Sequence, residues 1–379
     1  MEIQTGKTKQ AVEYQRIRRR LTLFHLLLTP TLLGVLIASG WTFGMRQNAI
    51  ALAGVSDWGV VAVYFVLFSL FFLIFDLPLS FYSGFMLEHQ FNLSNQNFGQ
   101  WLLDLGKKTL LSFVLSLVLL ECLYLMIRQC PENWWILAWV AYAFVSYVLG
   151  KVFPVVVVPL FYKYGRLEDK ELEEKVLRLA DRFDMPVKNV YSLNLSKTTK
   201  KANAAFMGIG KTKRVVLSDT LVQNFTHAEV EVVVAHELGH YKHHDVWRLL
   251  ALGLVVSLVA FAAGFWGMNV LVPAMSLASA ADVAGLPMLF LIFYTVNLIL
   301  MPIMNGYSRR RERAADVFAL RALETRDVFI SCMEKLGEQN LADPEPPGWY
   351  EWLFYDHPSI GKRVEMAKRI TDNKPKTEG

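Results

Sequence analysis

Cysteine and charged residues are scarce in this sequence, and each shortage excludes a class of protein. The three cysteines (Cys122, Cys130 and Cys332) show neither the spacing of paired metal ligands nor a disulfide framework. Charged residues make up 19% of the chain, whereas about 25% is usual for a soluble protein. A net charge of +5 is too modest to indicate a nucleic-acid partner. There is no internal repeat and no low-complexity segment.

Long apolar runs take the place of the missing charge. With 54% hydrophobic residues, the chain contains runs of the length needed to cross a bilayer. We therefore predict an integral membrane protein with the lipid bilayer as a partner. The predicted spans cover residues 21–43, 59–81, 109–127, 134–161, 249–273 and 287–305.

Several of these runs carry polar side chains that lipid would solvate poorly. A hydrated interior between the spans would accommodate them, although snorkelling or hydrogen bonds between helices would also do so. The residues in question are Asp76, Glu121, Lys151, Asn297 and Asn305.

Basic residues indicate the orientation of the chain in the membrane. The arginines at 16–20, Lys107 and Lys108, the charged segment 162–213 and the arginines at 309–311 all lie on one side of six spans. The loop 274–286 on the other side has almost no lysine or arginine. The positive-inside rule then places the basic side in the cytosol. A signal peptide is disfavoured because the first apolar run is too long.

The polar segments predict a mostly α-helical fold with a small β-sheet. Residues 167–180 have the pattern of an amphipathic helix, 187–193 and 214–218 of short strands, and 203–210 of a turn. We divide the chain into an N-terminal membrane region (1–161), a cytosol-facing catalytic domain (162–248), two further spans (249–305) and a C-terminal catalytic tail (306–379).

The strongest chemical signal is the HExxH motif at residues 236–240. No proline occurs from 228 to 250, so the segment is predicted to be helical. His236 and His240 would then share one helix face, with Glu237 beside them. This layout gives a zinc hydrolase two metal ligands and a general base. The alternative is a chance match on a surface helix.

A catalytic zinc needs a third protein ligand, and Glu312 is the candidate. Asp316 follows one helical turn later, where it could accept the outer N–H of a ligand histidine. The alternative is a solvated charge run next to the membrane. His243 and His244 complicate the choice, because His240 and His244 also have helical spacing. We interpret both as surface residues or as supports behind the ligands.

Together, several motifs resemble the type I CAAX prenyl protease family of membrane zinc metalloproteases. These motifs are distributed over most of the chain: LSFYSGFMLEHQF at 79–91, PLFYK at 159–163, Asn203-Ala204 with RVVLSDT at 214–220, HELGH at 236–240, SR…E…AD at 308–316, and HP…R at 357–363.

The resemblance implies a transmembrane helical barrel around a large water-filled chamber, with a zincin-like catalytic domain at its cytosolic end. It also implies that His236, His240 and Glu312 bind Zn²⁺, that Glu237 is the base, and that Asn203 and His357 lie beside the substrate. Eukaryotic members have seven spans. Either the proline-rich segment 150–161 supplies a further element, or this is a compact, prokaryote-like member.

On this view, His357, Arg363 or Asn203 would steady the tetrahedral oxyanion. The strand 214–218, with Val215 and Val216, would hold an extended peptide by edge pairing, next to Asn203 and Ala204.

Three functions remain open. The first is cleavage of prenylated, membrane-linked C-terminal peptides, and the second is proteolytic quality control of membrane proteins. The third is a transporter with a vestigial metal site, which the complete catalytic set argues against. We expect a monomer in the bacterial inner membrane or the endoplasmic reticulum membrane, with a peptide or protein as substrate.

Overall fold

The computed structural model is predominantly helical and describes residues 2–185, 187, 189–207 and 214–372; for residues 2–7 and 371–372 it describes only the backbone. The α-helices are α1 (Glu2–Ala38), α2 (Trp41–Ala53), α3 (Asp57–Phe81), α4 (Leu87–Gln90), α5 (Phe98–Gln129), α6 (Trp134–Val152), α7 (Val158–Phe161), α8 (Lys170–Arg182), α9 (Asp219–Asn224), α10 (His227–Lys242), α11 (Asp245–Ala274), α12 (Leu286–Leu323), α13 (Arg326–Gln339), α14 (Gly348–Phe354) and α15 (Ile360–Asp372).

Six helical stretches within the described part of the chain are long and apolar enough to cross a membrane, as the sequence predicted. The first differs from its predicted bounds. The helix stops at Ala38, and Gly40 adopts a left-handed conformation with φ of 73°. The short helix α2 follows, and its 13 residues span only about 20 Å, which is too short for a bilayer crossing.

The proline-rich segment 150–161 belongs to the fourth span. A π-helical turn (Phe153–Val157) accommodates Pro154, and the helix continues into α7 without a break. The segment is therefore not a re-entrant piece and does not add a further span. Another π-helical turn, Tyr82–Met86, joins α3 to α4.

A four-stranded sheet covers one side of the HExxH helix, in the order β1-β2-β4-β3. The strands are β1 (Tyr164–Arg166), β2 (Val190–Leu193), β3 (Ala204–Met207) and β4 (Arg214–Ser218). The predicted strand at 214–218 is confirmed. The turn predicted at 203–210 is wrong for 204–207, which form β3, and 208–210 lie outside the described residues.

The sheet order also corrects the predicted peptide-binding edge. The strand β4 is internal, since it pairs in parallel with β2 and antiparallel with β3. Val215 and Val216 are buried within it. They therefore cannot pair with an incoming peptide. Among the described strands, β3 is an outer one.

The sheet-containing part of the fold has a dense core that fixes where α10 and α12 cross. Buried apolar residues of α8, β4, α10, α12, α13 and α15 form one cluster. A Cβ atom on Gly239 of α10 would lie 3.0 Å from the Ala315 Cα of α12. Glycine at this position lets the two helix backbones touch. The contact brings the third-ligand helix against the HExxH helix.

The N-terminal helix also makes polar contacts with the sheet-containing part of the fold. The buried Tyr14 hydroxyl donates a hydrogen bond of 2.5 Å to Glu88, and Lys201 Nζ lies 2.9 Å from the same carboxylate. Arg19 pairs with the buried Asp343 at 2.8 Å. These contacts engage Glu88 on both sides and hold α1 in place.

Candidate metal centre and active site

The helix α10 carries the HExxH motif and has defined ends. Thr226 and Glu229 form a reciprocal capping box at its start. The prediction of an unbroken helix through residue 250 is wrong, since α10 ends at Lys242. His244 has φ of 55°, and α11 begins at Asp245. This break turns the chain so that Asp245 lies beside His240.

Three side chains converge on one point at the crossing of α10 and α12. The Nε2 atoms of His236 and His240 lie 3.1 Å apart. Glu312 Oε2 lies 3.2 Å from His236 Nε2, and Glu312 Oε1 lies 3.2 Å from His240 Nε2. All the candidate ligand atoms lie within 4.8 Å of one another, and the described residues contain no other group that meets this criterion.

Carboxylates behind the imidazoles orient both histidines. His236 Nδ1 lies 2.8 Å from Asp316 Oδ1, and His240 Nδ1 lies 3.0 Å from Asp245 Oδ2. Each carboxylate accepts a hydrogen bond from Nδ1–H, which leaves the Nε2 lone pair of each neutral ring facing the shared point. The predicted role of Asp316 agrees with this geometry. The sequence analysis did not identify Asp245.

Each supporting carboxylate is itself paired with an arginine. Arg363 contacts Asp316 through Nε at 2.8 Å and through Nη2 at 2.5 Å. Arg311 Nε lies 2.5 Å from Asp245. Two parallel chains, each running from arginine through carboxylate to histidine, therefore hold the site. Because Arg363 binds behind His236 on the Nδ1 side, its geometry favours positioning over direct contact with an oxyanion.

The residues at the shared point fit a metal ion. Glu312 Oε2 is buried and has no hydrogen-bond partner. Burial disfavours the charged form of His236, but the adjacent carboxylates of Asp316 and Glu312 outweigh it and raise the pKa of His236 to about 9. A cation at the shared point would satisfy the orphan oxygen and replace that proton. Two imidazole nitrogens and a carboxylate are a ligand set that zinc accepts.

A cavity of about 230 Å³ opens beside this point. Glu237 lines it together with His236. The cavity also brings together four of the predicted substrate or catalytic residues. They are Asn203, Ala204, His357 and Arg363.

His357 reaches the same point from the loop before α15. Its Nε2 lies 3.2 Å from Glu312 Oε1, and its Nδ1 lies 2.8 Å from Asp356. The hydrogen bond to Asp356 raises the pKa of His357 despite partial burial. A protonated imidazole here can donate a hydrogen bond to negative charge that develops in the cavity.

The remaining histidines of the motif region lie outside the ligand cluster. His244 is exposed in its left-handed conformation at the start of α11. His243 faces a separate pocket lined by Phe183 and Phe318. The structure thus separates both residues from the ligands, in agreement with the prediction.

Two family descriptions together match nearly the whole chain. Peptidase family M48 matches residues 166–371. The family described as CAAX prenyl protease N-terminal, with five membrane helices, matches residues 1–163. The described part of that N-terminal segment holds four candidate spans and the short helix α2.

Individual relatives agree with these matches. The chain is 30% identical over 367 residues to the uncharacterized metalloprotease YhfN of Bacillus subtilis, covering 95% of this chain and 85% of that protein. It is 27% identical to the human CAAX prenyl protease 1 homolog, covering 81% of this chain and 73% of that protein. The fold matches the crystal structure of S. mikatae Ste24p with a TM-score of 0.86 at 24% identity, covering 96% of this chain and 89% of that chain.

Proposed function

The chain belongs to peptidase family M48 and is a membrane metalloprotease, and we propose that its metal is zinc and that it acts as an endopeptidase. In this proposal His236, His240 and Glu312 hold the ion and Glu237 is the general base. The observation that carries it is the convergence of two Nε2 atoms and an orphaned carboxylate oxygen on one point.

The side chains divide the reaction between them. When bound, zinc supplies Lewis acidity and lowers the pKa of a water molecule. Glu237 takes a proton from the attacking water and returns it to the leaving amine. His357, held by Asp356, donates a hydrogen bond to the developing oxyanion. Arg363 and Arg311 keep the histidines oriented through Asp316 and Asp245.

We further propose that β3 positions the substrate. Asn203 and Ala204, at the start of this outer strand, line the cavity that Glu237 faces. An extended peptide that pairs with β3 would pass the catalytic groups and leave its side chains to pockets. This assigns to β3 the role that the sequence analysis gave to β4.

The proposed substrate is a prenylated protein processed near its C-terminus on the cytosolic side of the membrane. Support comes from the similarity to CAAX prenyl proteases of plants, fungi and animals. The positive-inside rule supports a catalytic domain on the cytosolic side of the membrane.

The test uses purified protein, metal analysis and two substrates. We expect zinc at one ion per chain, cleavage of a farnesylated peptide with a free C-terminus, and little cleavage of an unfolded membrane protein. Glu237→Gln should retain zinc and lose about 10² to 10⁴-fold in turnover. Loss of zinc from this variant, or undiminished turnover, would contradict the assignment of Glu237. Preferred cleavage of the unfolded protein would instead indicate a quality-control protease.

A further inference from the structure

A second cavity of about 480 Å³ adjoins the active-site cavity. The two cavities share Ala202, Asn203 and Asn340 in their walls. The far wall of the second cavity comes from the N-terminal helix, which contributes Tyr14, Gln15 and Arg18. An extended ligand that continues from the active-site cavity into the second cavity would therefore contact side chains of α1.

The second cavity has a positive balance of charge. Lys201 and Arg18 line it, and one carboxylate, Glu88, contacts both. Glu88 is bound tightly to Tyr14 at 2.5 Å and to Lys201 at 2.9 Å. Arg18 Nη1 is 3.9 Å from Glu88, and 44% of its side chain is exposed. The Arg18 guanidinium consequently retains most of its capacity to bind an anion.

Strand direction determines which end of a bound peptide reaches this cavity. On its paired side, β3 runs antiparallel to β4. A peptide paired antiparallel along the other side of β3 would run towards residues 202–203, where its C-terminal end would enter the second cavity.

We propose that the second cavity binds the free C-terminal carboxylate of the substrate, with Arg18 as its ion-pair partner. The inference rests on the proposed endopeptidase function and names the substrate group that the second cavity recognises. A guanidinium can bind a carboxylate through two parallel hydrogen bonds, which fixes position as well as affinity.

The experiment compares one farnesylated peptide in two forms, the free acid and the C-terminal amide. We expect wild-type enzyme to cleave the acid with a kcat/KM roughly 10- to 100-fold above that of the amide. Arg18→Gln should bring the acid down to the level of the amide and leave the amide unchanged, and Arg18→Lys should restore part of the preference. Arg16→Gln removes an equal charge from an exposed position on the same helix and should change neither value.

Direct binding of the free-acid tripeptide and its amide separates this inference from the proposed function. Acid and amide peptides cleaved equally well would overturn the carboxylate site while leaving the protease assignment intact. If neither peptide is cleaved, the protease assignment fails. In that case, tighter binding of the tripeptide acid that disappears in Arg18→Gln supports the site, and equal binding of acid and amide overturns it.

Discussion

The catalytic half and the membrane half of this molecule treat their polar side chains differently. In the catalytic half, the buried carboxylates of Asp245 and Asp316 each contact a histidine and an arginine. In the spans, His25 and Asp76 lie 3.5 Å apart with about half of each side chain exposed. Glu121 Oε2 is buried and has no hydrogen-bond partner. The catalytic half is held by specific pairs, whereas the spans leave polar groups loosely placed.

Apolar side chains show the same contrast. The catalytic half buries one continuous cluster against its sheet. In the spans, only 6% to 33% of the most apolar window of each helix is buried. Lipid solvates apolar side chains, so spans gain little from burying them against one another, while a domain in water must do so. Tight packing therefore sets the metal site, and looser packing is compatible with an open interior. The hydrated chamber itself stays a prediction.

Replacement of the third ligand should give the largest effect on the tightly held half. Glu312→Ala leaves two histidines at the shared point, too few for a catalytic zinc site, so we expect zinc and proteolysis to be lost together. Elemental analysis of purified protein measures the first and peptide cleavage the second. His244→Ala, at an exposed position, is the control. Normal zinc in Glu312→Ala combined with loss of zinc in His244→Ala would show that the third ligand is wrong.

A substitution at the crossing of α10 and α12 should have the next largest effect. In Gly239→Ala the added Cβ would lie 3.0 Å and 3.2 Å from backbone atoms of Ala315. Backbone cannot move aside as a side chain can, so we expect about 1–3 kcal/mol of destabilisation and weaker zinc binding.

Thermal unfolding and a zinc titration measure these effects. Gly253→Ala is the matched control, because nothing lies within 4 Å of its Cβ, and it should not lower stability. Equal behaviour of the two variants would mean that the close crossing does not determine the ligand geometry.

The carboxylates behind the ligands should have an intermediate effect. Asp316→Asn and Asp245→Asn each weaken the orientation of one histidine, and we expect about 10- to 100-fold losses in zinc affinity or activity. Asp327→Asn, at a position where 89% of the side chain is exposed, serves as the control. If zinc affinity is unchanged in both variants, the arginine–carboxylate–histidine chains are not needed for metal binding.

The loosely packed half should respond least to substitution. Single cysteines at Asp76, Glu121 and Asn297, in a background without the three native cysteines, should leave the enzyme active and react with a small water-soluble thiol reagent. A variant that retains only the buried Cys332 provides the protected control. Uniform protection of the three introduced cysteines in active enzyme would indicate a dry interior.

Local patterns were enough to predict much of the site. The four-residue spacing of His236 and His240 follows from helix periodicity, and Glu312 with Asp316 repeats that spacing on another helix. The structure places all four together. The sequence did not predict the roles of Asp245 and Arg311. Asp245 reaches His240 only because the helix breaks at His244, and no proline marks that break in the sequence. Arg311 had been assigned only to a topogenic charge run.

The sequence by itself determined the six candidate spans, the HExxH helix and the helical spacing of the candidate ligands, because hydrophobic runs and helical spacing act over neighbouring residues. Tertiary structure alone decided that β4 is internal and β3 an outer strand, that α2 is too short to span, and that Arg363 stands behind His236. These features depend on pairing and packing between residues far apart in the chain. Such contacts leave no local periodicity, since their free energy arises only when distant segments meet.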